Sequence, residues 1–279
     1  DEIDAVVVVT QSPDYFLPST SSIIHGKLGF NERVYCLDIS DGCAGFVTGL
    51  IESSTLLAQP GINTVALCNV DVLSRKVSRQ DRNSFPLIGD AASIVILKAS
   101  KAEKVFRCIV KHDGGNRDAL IIPAGGFAEF PCEQNSIPVQ YPDGNVRSRQ
   151  NLVMQGDQVF NFIMEKVPKL VEDALEINHA TRNSVDHFLF HQPNRFILNK
   201  LAQKLNICES KVPMNVVETL GNSSGCSIPA AWTLCLADEI LRGKKSICFA
   251  GFGVGLRWGS AVMDMGPMSF CEVCYFDEG

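Results

Sequence analysis

Short apolar strands alternate with amphipathic helices from end to end of this chain, and that alternation admits few folds. Strand-like runs fall at 5–9, 34–39, 64–68, 92–97, 105–111, 186–190, 214–219, 246–250 and 256–263, and helical periodicity at 19–28, 43–58, 157–177, 194–205 and 223–242. Such a pattern argues an α/β fold with largely parallel sheets covered by helices. The order strand, short helix, strand, long helix, strand, strand occurs twice, so two similar halves packed together are expected. The division expected is 1–125, 126–267 and a tail at 268–279. A strand at 105–111 and a helix at 157–177 precede the second copy, and neither precedes the first. The first half is therefore expected to lack an opening strand and helix. That lack uncovers a strand edge and an apolar face, so the chain alone is expected to be poorly soluble and inactive unless a longer polypeptide or another chain completes it.

Between His112 and Asn145 glycines and prolines are dense and periodicity is lost, which reads as one long loop, functional or connecting.

Val34–Leu57 carries the first chemical signal. The strand Val34–Ile39 runs into Ser40-Asp41-Gly42, and Cys43, Phe46, Val47, Leu50 and Ile51 then recur at helical spacing. A thiol on the first turn of a helix meets unpaired N–H groups and the positive end of the dipole, which lowers its pKa and makes it a nucleophile. A buried structural cysteine is the competing reading.

With 11 cysteines scattered through apolar segments and no signal peptide, the chain reads as reduced and cytosolic. A net charge of −6 with no basic run argues against nucleic acid, and no apolar run is long enough for a bilayer. Cys271 and Cys274 have the spacing of half a zinc site, but no second pair lies nearby, and a disordered tail is expected instead.

His191 follows the strand ending at Phe190, and Asn222 lies at the start of the helix that matches the Cys43 helix in the repeat. Both fall at C-terminal ends of strands, where open α/β sheets place ligands. His187 and His191 lack a third metal ligand, and His187 reads as a hydrogen-bonded core residue. Gly251-Phe-Gly-Val-Gly255 lies between two strands, so it fails the dinucleotide fingerprint and suits close backbone approach to a substrate oxygen.

Asp41-Gly-Cys-Ala-Gly-Phe46, Gly89-Asp90, His191-Gln-Pro-Asn194, Gly221-Asn-Ser-Ser224 and Gly251–Gly259, in that order, resemble the β-ketoacyl-acyl-carrier-protein synthase III family of the thiolase superfamily. The resemblance runs from about Asp4 to Met263. It implies a thiolase-like fold layered α-β-α-β-α, a homodimer and a role in fatty acid biosynthesis. It implies an acyl group taken from acyl-CoA onto Cys43, then decarboxylative condensation with malonyl-acyl carrier protein or malonyl-CoA. His191 and Asn222 would donate N–H groups to the enolate. The backbone N–H groups of Cys43 and Val254 would hold the tetrahedral oxyanion. Coenzyme A, a substrate and no resident cofactor, would meet Arg82, Gly156, Phe160 and Asn194. Leu17, reaching into the partner's pocket, would border the acyl group with Met154 and Phe252. Phe196 stands where the family has an arginine for carrier-protein docking, and Arg195 lies one position earlier.

Three other readings stay open. A papain-type hydrolase also orders Cys, His and Asn, without the Cys-Trp signature here. An acyltransferase of the same fold would pass the acyl group to an amine or alcohol and release no carbon dioxide. A non-catalytic subunit of a hetero-oligomer would do neither.

Overall fold

The computed structural model describes residues 2–100 and 106–275. β1 (Ala5–Val9), a run of alanine and valines, is buried on both faces and lies between β2 (Tyr35–Ile39) and β3 (Thr64–Asp71), parallel to both. β4 (Ala91–Lys98) pairs antiparallel with β3, so the first sheet reads β2-β1-β3-β4. In the second sheet β10 (His187–Phe190) runs parallel to β11 (Lys245–Gly253), β12 (Arg257–Met265) antiparallel to β11, and β5 (Cys108–His112) antiparallel to β12.

Alternating side chains separate the layers. Ala5, Val7 and Val9 share one core with Leu189, Ile247 and Phe249 of the other sheet. Between the sheets run α2 (Gly45–Leu57) and α7 (Ser227–Arg242), joined where Phe46 meets Trp232 and Phe249 edge-on, with centroids 5.2 and 5.5 Å away. Val6 and Val8 face the opposite way onto Ile24 of α1 (Thr20–Leu28), which Ser19 caps. Phe188, Phe190 and Cys248 likewise face outward, onto α4 (Gly156–Ile177) and α5 (Arg195–Lys204).

The structure departs from the sequence reading in several places. The stretch at 214–219, β-branched enough for a strand, closes into α6 (Val216–Leu220), with the Gly221 N–H on the Val217 carbonyl at 3.0 Å. Among the described residues no neighbouring strand pairs with it, and local bonds satisfy its backbone instead. α2 starts at Gly45, two residues after Cys43. The 112–145 stretch is not one loop: β6 (Leu120–Ile121) pairs with β9 (Val153–Met154), β7 (Val139–Gln140) with β8 (Val146–Arg147), and α3 (Glu133–Ser136) makes one turn. β5, on the N-terminal side of the expected boundary at 125, pairs into the second sheet, and Val105 of that expected strand lies outside the described residues. In the tail, Met268 and Cys271 pack on the core between the sheets, and residues 276–279 lie outside the described part.

One buried ion pair braces the segment that leads into β4. Arg147 donates to Asp81 at 3.0 Å and to Asp143 at 2.7 Å, and its guanidinium lies 4.4 Å over the Tyr141 ring. Asp81 in turn accepts the Asn83 N–H at 2.9 Å and the Ser84 hydroxyl at 3.1 Å, setting the 81–89 segment. The Asp81 side chain is fully buried and Arg147 nearly so. Removing the arginine strands a buried carboxylate, so Arg147→Ala is expected to cost about 3–5 kcal/mol in urea unfolding. Arg195→Ala, which breaks an exposed pair with Glu218, should cost under about 1 kcal/mol. Equal losses would remove the special place given to Arg147.

Candidate active site

Cys43 lies on the turn from β2 into α2, and the turn is tied down by Asp41. The Asp41 carboxylate accepts the Gly42 N–H at 2.8 Å, the Thr48 hydroxyl at 2.7 Å and an Arg257 guanidinium N–H at 2.5 Å. Gly253, ending β11, passes directly over the nucleophile. A Cβ there would sit 2.8 Å from the Cys43 sulfur, so only glycine allows this approach.

His191 follows β10, with its N–H on the Ala250 carbonyl at 2.8 Å. Its Nδ1 lies 2.8 Å from the Ser227 hydroxyl, and its ring meets Phe252 edge-on at 5.5 Å. Asn222 is clamped by backbone bonds to the 87–89 segment, its N–H to the Leu87 carbonyl at 2.7 Å and its carbonyl from the Gly89 N–H at 3.1 Å. A Cβ on Gly89 would fall 1.8 Å from the Leu220 carbonyl oxygen, which explains the glycine structurally. Asp90 beside it accepts the Ser74 N–H at 2.9 Å and the Ser74 hydroxyl. The Gly89-Asp90 motif thus builds the wall that holds Asn222.

Cys43, His191 and Asn222 open onto one cavity of about 420 Å³. Gly156, Met154, Asn194 and Phe252 line it too. The Asn194 side chain is also occupied as the cap of α5, accepting the Ile197 N–H at 2.9 Å. Three sequence candidates lie elsewhere. Phe160 stacks on exposed Phe196 at 5.9 Å. Arg82 is exposed, its backbone N–H on Asn145 at 3.0 Å. Leu17 is 87% exposed. The Val254 N–H reaches the Cys43 sulfur, while the residue also borders a separate cavity of about 350 Å³ with Gln11, Asp41 and Arg257. A larger cavity of about 450 Å³ between β4 and the tail contains none of the three reactive groups.

Four residues to which the sequence reading gave no role lie around Cys43 and His191. Ser224 holds a left-handed backbone at φ 54°, uncommon for a non-glycine, and aims its hydroxyl at the Cys43 sulfur 3.9 Å away. Gln11 donates one amide hydrogen to Ser224 at 2.9 Å and another to Asp71 at 3.2 Å. Asp71, buried, also accepts the Gln11 N–H at 2.8 Å. Ser227 is the fourth. Gln11 and Asp71 had a signal in the sequence, since both are polar residues at the C-terminal ends of β1 and β3, the same sheet end as Cys43.

Burial reverses the expected electrostatics of Cys43. It pushes the thiol up to about 12, against hydrogen bonds from Ser224 and the Val254 N–H, and Asp71 raises it further. The helix start, two residues on, does not offset this. Burial also lowers His191 to about 3, so the resting pair is a thiol and a neutral imidazole. Among the described residues no three His, Cys, Asp or Glu side chains gather to hold a metal, and no helix is long and apolar enough to cross a membrane.

Alkylation of Cys43 by iodoacetamide, followed by peptide mass, is therefore expected to rise about tenfold per pH unit from pH 6 to 10, because thiolate stays scarce below a pKa of about 12. A plateau near pH 7 would restore the low-pKa nucleophile that the turn alone suggests.

Residues 37–114 match the family model 3-oxoacyl-[acyl-carrier-protein] synthase III, and residues 175–265 the model of its C-terminal part. The β-ketoacyl-[acyl-carrier-protein] synthase III of a Nostoc species is 33% identical over 265 residues, 95% of this chain and 77% of that protein. That of Rickettsia felis is 32% identical over 263 residues, 94% of this chain and 77% of its own length. The crystal structure of a 3-oxoacyl-(acyl-carrier protein) synthase from Burkholderia xenovorans is similar with a TM-score of 0.90 at 34% identity, covering 98% of this chain and 76% of that one. With a thiolase-like α/β fold and a cysteine, a histidine and an asparagine on one cavity, the chain belongs to the 3-oxoacyl-[acyl-carrier-protein] synthase III family of acyltransferases.

Proposed function

We propose that Cys43 takes an acyl group from acyl-CoA and that the acyl-enzyme condenses with a malonyl thioester, on carrier protein or coenzyme A, to give a β-ketoacyl thioester. The observation that carries this is the convergence of Cys43 after β2, His191 after β10 and Asn222 after α6 on one cavity bordered by Met154 and Phe252. Thiol attack on the acyl-CoA carbonyl forms the Cys43 thioester and releases coenzyme A. Loss of carbon dioxide from the malonyl group leaves an enolate, with the neutral His191 imidazole and the Asn222 amide as its N–H donors. The enolate carbon attacks the acyl-Cys43 carbonyl, and the N–H groups of Cys43 and Val254 receive the oxyanion. Capture on one sulfur lets a single site handle two thioesters in turn.

The same reading places coenzyme A along Arg82, Gly156, Phe160 and Asn194 and the chain in fatty acid biosynthesis in the cytoplasm. It also divides the fold into two pseudo-equivalent halves. The common order and directions of β1-β3-β4 and β10-β11-β12 support the second point. A homodimer is part of it as well, with exposed Leu17 and Phe16 facing the second copy.

Intact mass after incubation with a panel of acyl-CoAs should give an adduct on Cys43 alone, absent in Cys43→Ala. Asn222→Ala should slow carbon dioxide release from the malonyl thioester by about 10²–10³ while adduct formation persists. An adduct on another cysteine sinks the assignment. Acyl transfer to an amine or alcohol without carbon dioxide would select that reaction instead.

A further inference from the structure

Two cavities flank the turn that carries Cys43. The one of about 420 Å³ is lined by His191 and Asn222, and a malonyl thioester has to reach both of them. An acyl group already on the sulfur must then lie elsewhere, or the second thioester cannot enter. The other cavity, of about 350 Å³, adjoins the sulfur through Gly42, its neighbour in sequence, and Val254, whose N–H it accepts. A chain that leaves the sulfur on that side enters the second cavity.

The walls of this cavity are polar. Among the described residues that line it, only Val254 brings an apolar side chain, and Gln11, Asp41, His112 and Arg257 supply the large polar ones. Arg257, at the start of β12, is 27% exposed. It donates through Nε to His112 Nδ1 at 3.1 Å and through Nη1 to the Asp41 carboxylate. A guanidinium carries five N–H donors, and the other three meet no acceptor among the described residues. Because His112 Nδ1 accepts, the hydrogen of that ring lies on Nε2, a further donor at the exposed rim.

Charge decides which acceptor suits these donors. Asp41 is buried and already accepts from the Gly42 N–H, the Thr48 hydroxyl and Arg257, so it balances the guanidinium. Asp71 lies just beyond Gln11, 3.2 Å from its amide nitrogen. An acyl chain ending in a carboxylate would add a third anion around one arginine. An alkyl chain would take the spare donors out of water and offer them nothing. An uncharged oxygen accepts from them and incurs neither cost.

We propose that this second cavity receives the acyl group held on Cys43, and that Arg257 selects acyl groups bearing an uncharged hydroxyl or keto oxygen. The inference rests on the acyl-transfer reading and names its substrate class. In the transfer the Cys43 sulfur bonds to the acyl carbon, the carbon–sulfur bond to coenzyme A breaks, and the thiol proton ends on the coenzyme A sulfur. The oxygen bound by Arg257 takes no part in these bond changes, so Arg257 sets specificity and leaves the chemistry alone.

The test follows Cys43 adduct formation by intact mass with butyryl-CoA, 3-hydroxybutyryl-CoA, 4-hydroxybutyryl-CoA and succinyl-CoA, donors of equal chain length that differ in their oxygens. The faster hydroxybutyryl donor is expected to exceed butyryl-CoA about 10–100-fold in kcat/KM, the worth of a hydrogen bond to a charged group, with succinyl-CoA no faster than butyryl-CoA. Arg257→Met, which keeps the length of the side chain and removes its donors, should abolish the advantage. That change also leaves the buried Asp41 unpaired, so His112→Phe, which leaves the Asp41 pair in place, is the second variant and should reduce the advantage. Butyryl-CoA labelling as fast as either hydroxybutyryl donor overturns the inference and keeps the acyl-transfer reading. So does a fast succinyl adduct, which would assign a carboxylate to Arg257, and so does an undiminished advantage in a folded Arg257→Met protein. If none of these donors labels Cys43, the acyl-transfer reading falls and takes the inference with it.

Discussion

The turn that carries Cys43 is pressed between the end of β11 and the turn that leads into α7, and that contact takes the sulfur out of water. It is a consequence of layering. α2 and α7 must fill the space between two sheets, so the residue that opens α2 starts at the centre of the molecule. Gly253 over the sulfur, Gly251 against the Cys43 carbonyl and Gly225 against the Gly42 carbonyl are sites where a side chain would push the layers apart. The nucleophile is therefore accurately placed and poorly solvated for the same reason.

Desolvation acts on both members of the reactive pair in the direction of neutrality. It holds the proton on Cys43 and off His191, with the thiol at about 12 and the imidazole at about 3. Any negative charge that develops on the sulfur therefore meets a desolvation cost that nearby donors have to offset. Such a site depends on fixed dipoles rather than on a preformed thiolate. The Ser224 hydroxyl and the Val254 N–H both lower the thiol against the larger cost of burial.

Much of this was legible in the chain. Alternating strands and helices, the Cys43 turn, and the position of His191 at a strand end all follow from local pattern, whereas Asn222 follows a helix and not the strand expected at 214–219. What pattern could not supply was the partner of each element. The 214–219 run has strand propensity, but a strand needs a neighbour, and α6 forms where none is present. The thiol pKa was read from a helix start alone, whereas the outcome depends on β11 and α7, far away in sequence. Gly89-Asp90 had no role assigned from the sequence beyond the motif, and it holds the wall behind Asn222. Ser224 and Ser227 are ordinary serines in sequence, and only the left-handed turn that brings them back to Cys43 and His191 gives them work.

A carboxylate this near the sulfur has to be explained. Asp71 is buried, and its charge opposes thiolate formation. Gln11 stands between Asp71 and Ser224 and resolves the conflict through direction. Asp71 can only accept when ionised, so it fixes the Gln11 amide with its hydrogens outward. One of those hydrogens then occupies a lone pair of Ser224. The Ser224 hydrogen then has two acceptors within reach, the Cys43 sulfur 3.9 Å away and the Asp71 carboxylate itself. A neutral residue in place of Asp71 would remove the repulsion and release Gln11, so that Ser224 could turn a lone pair toward the sulfur instead.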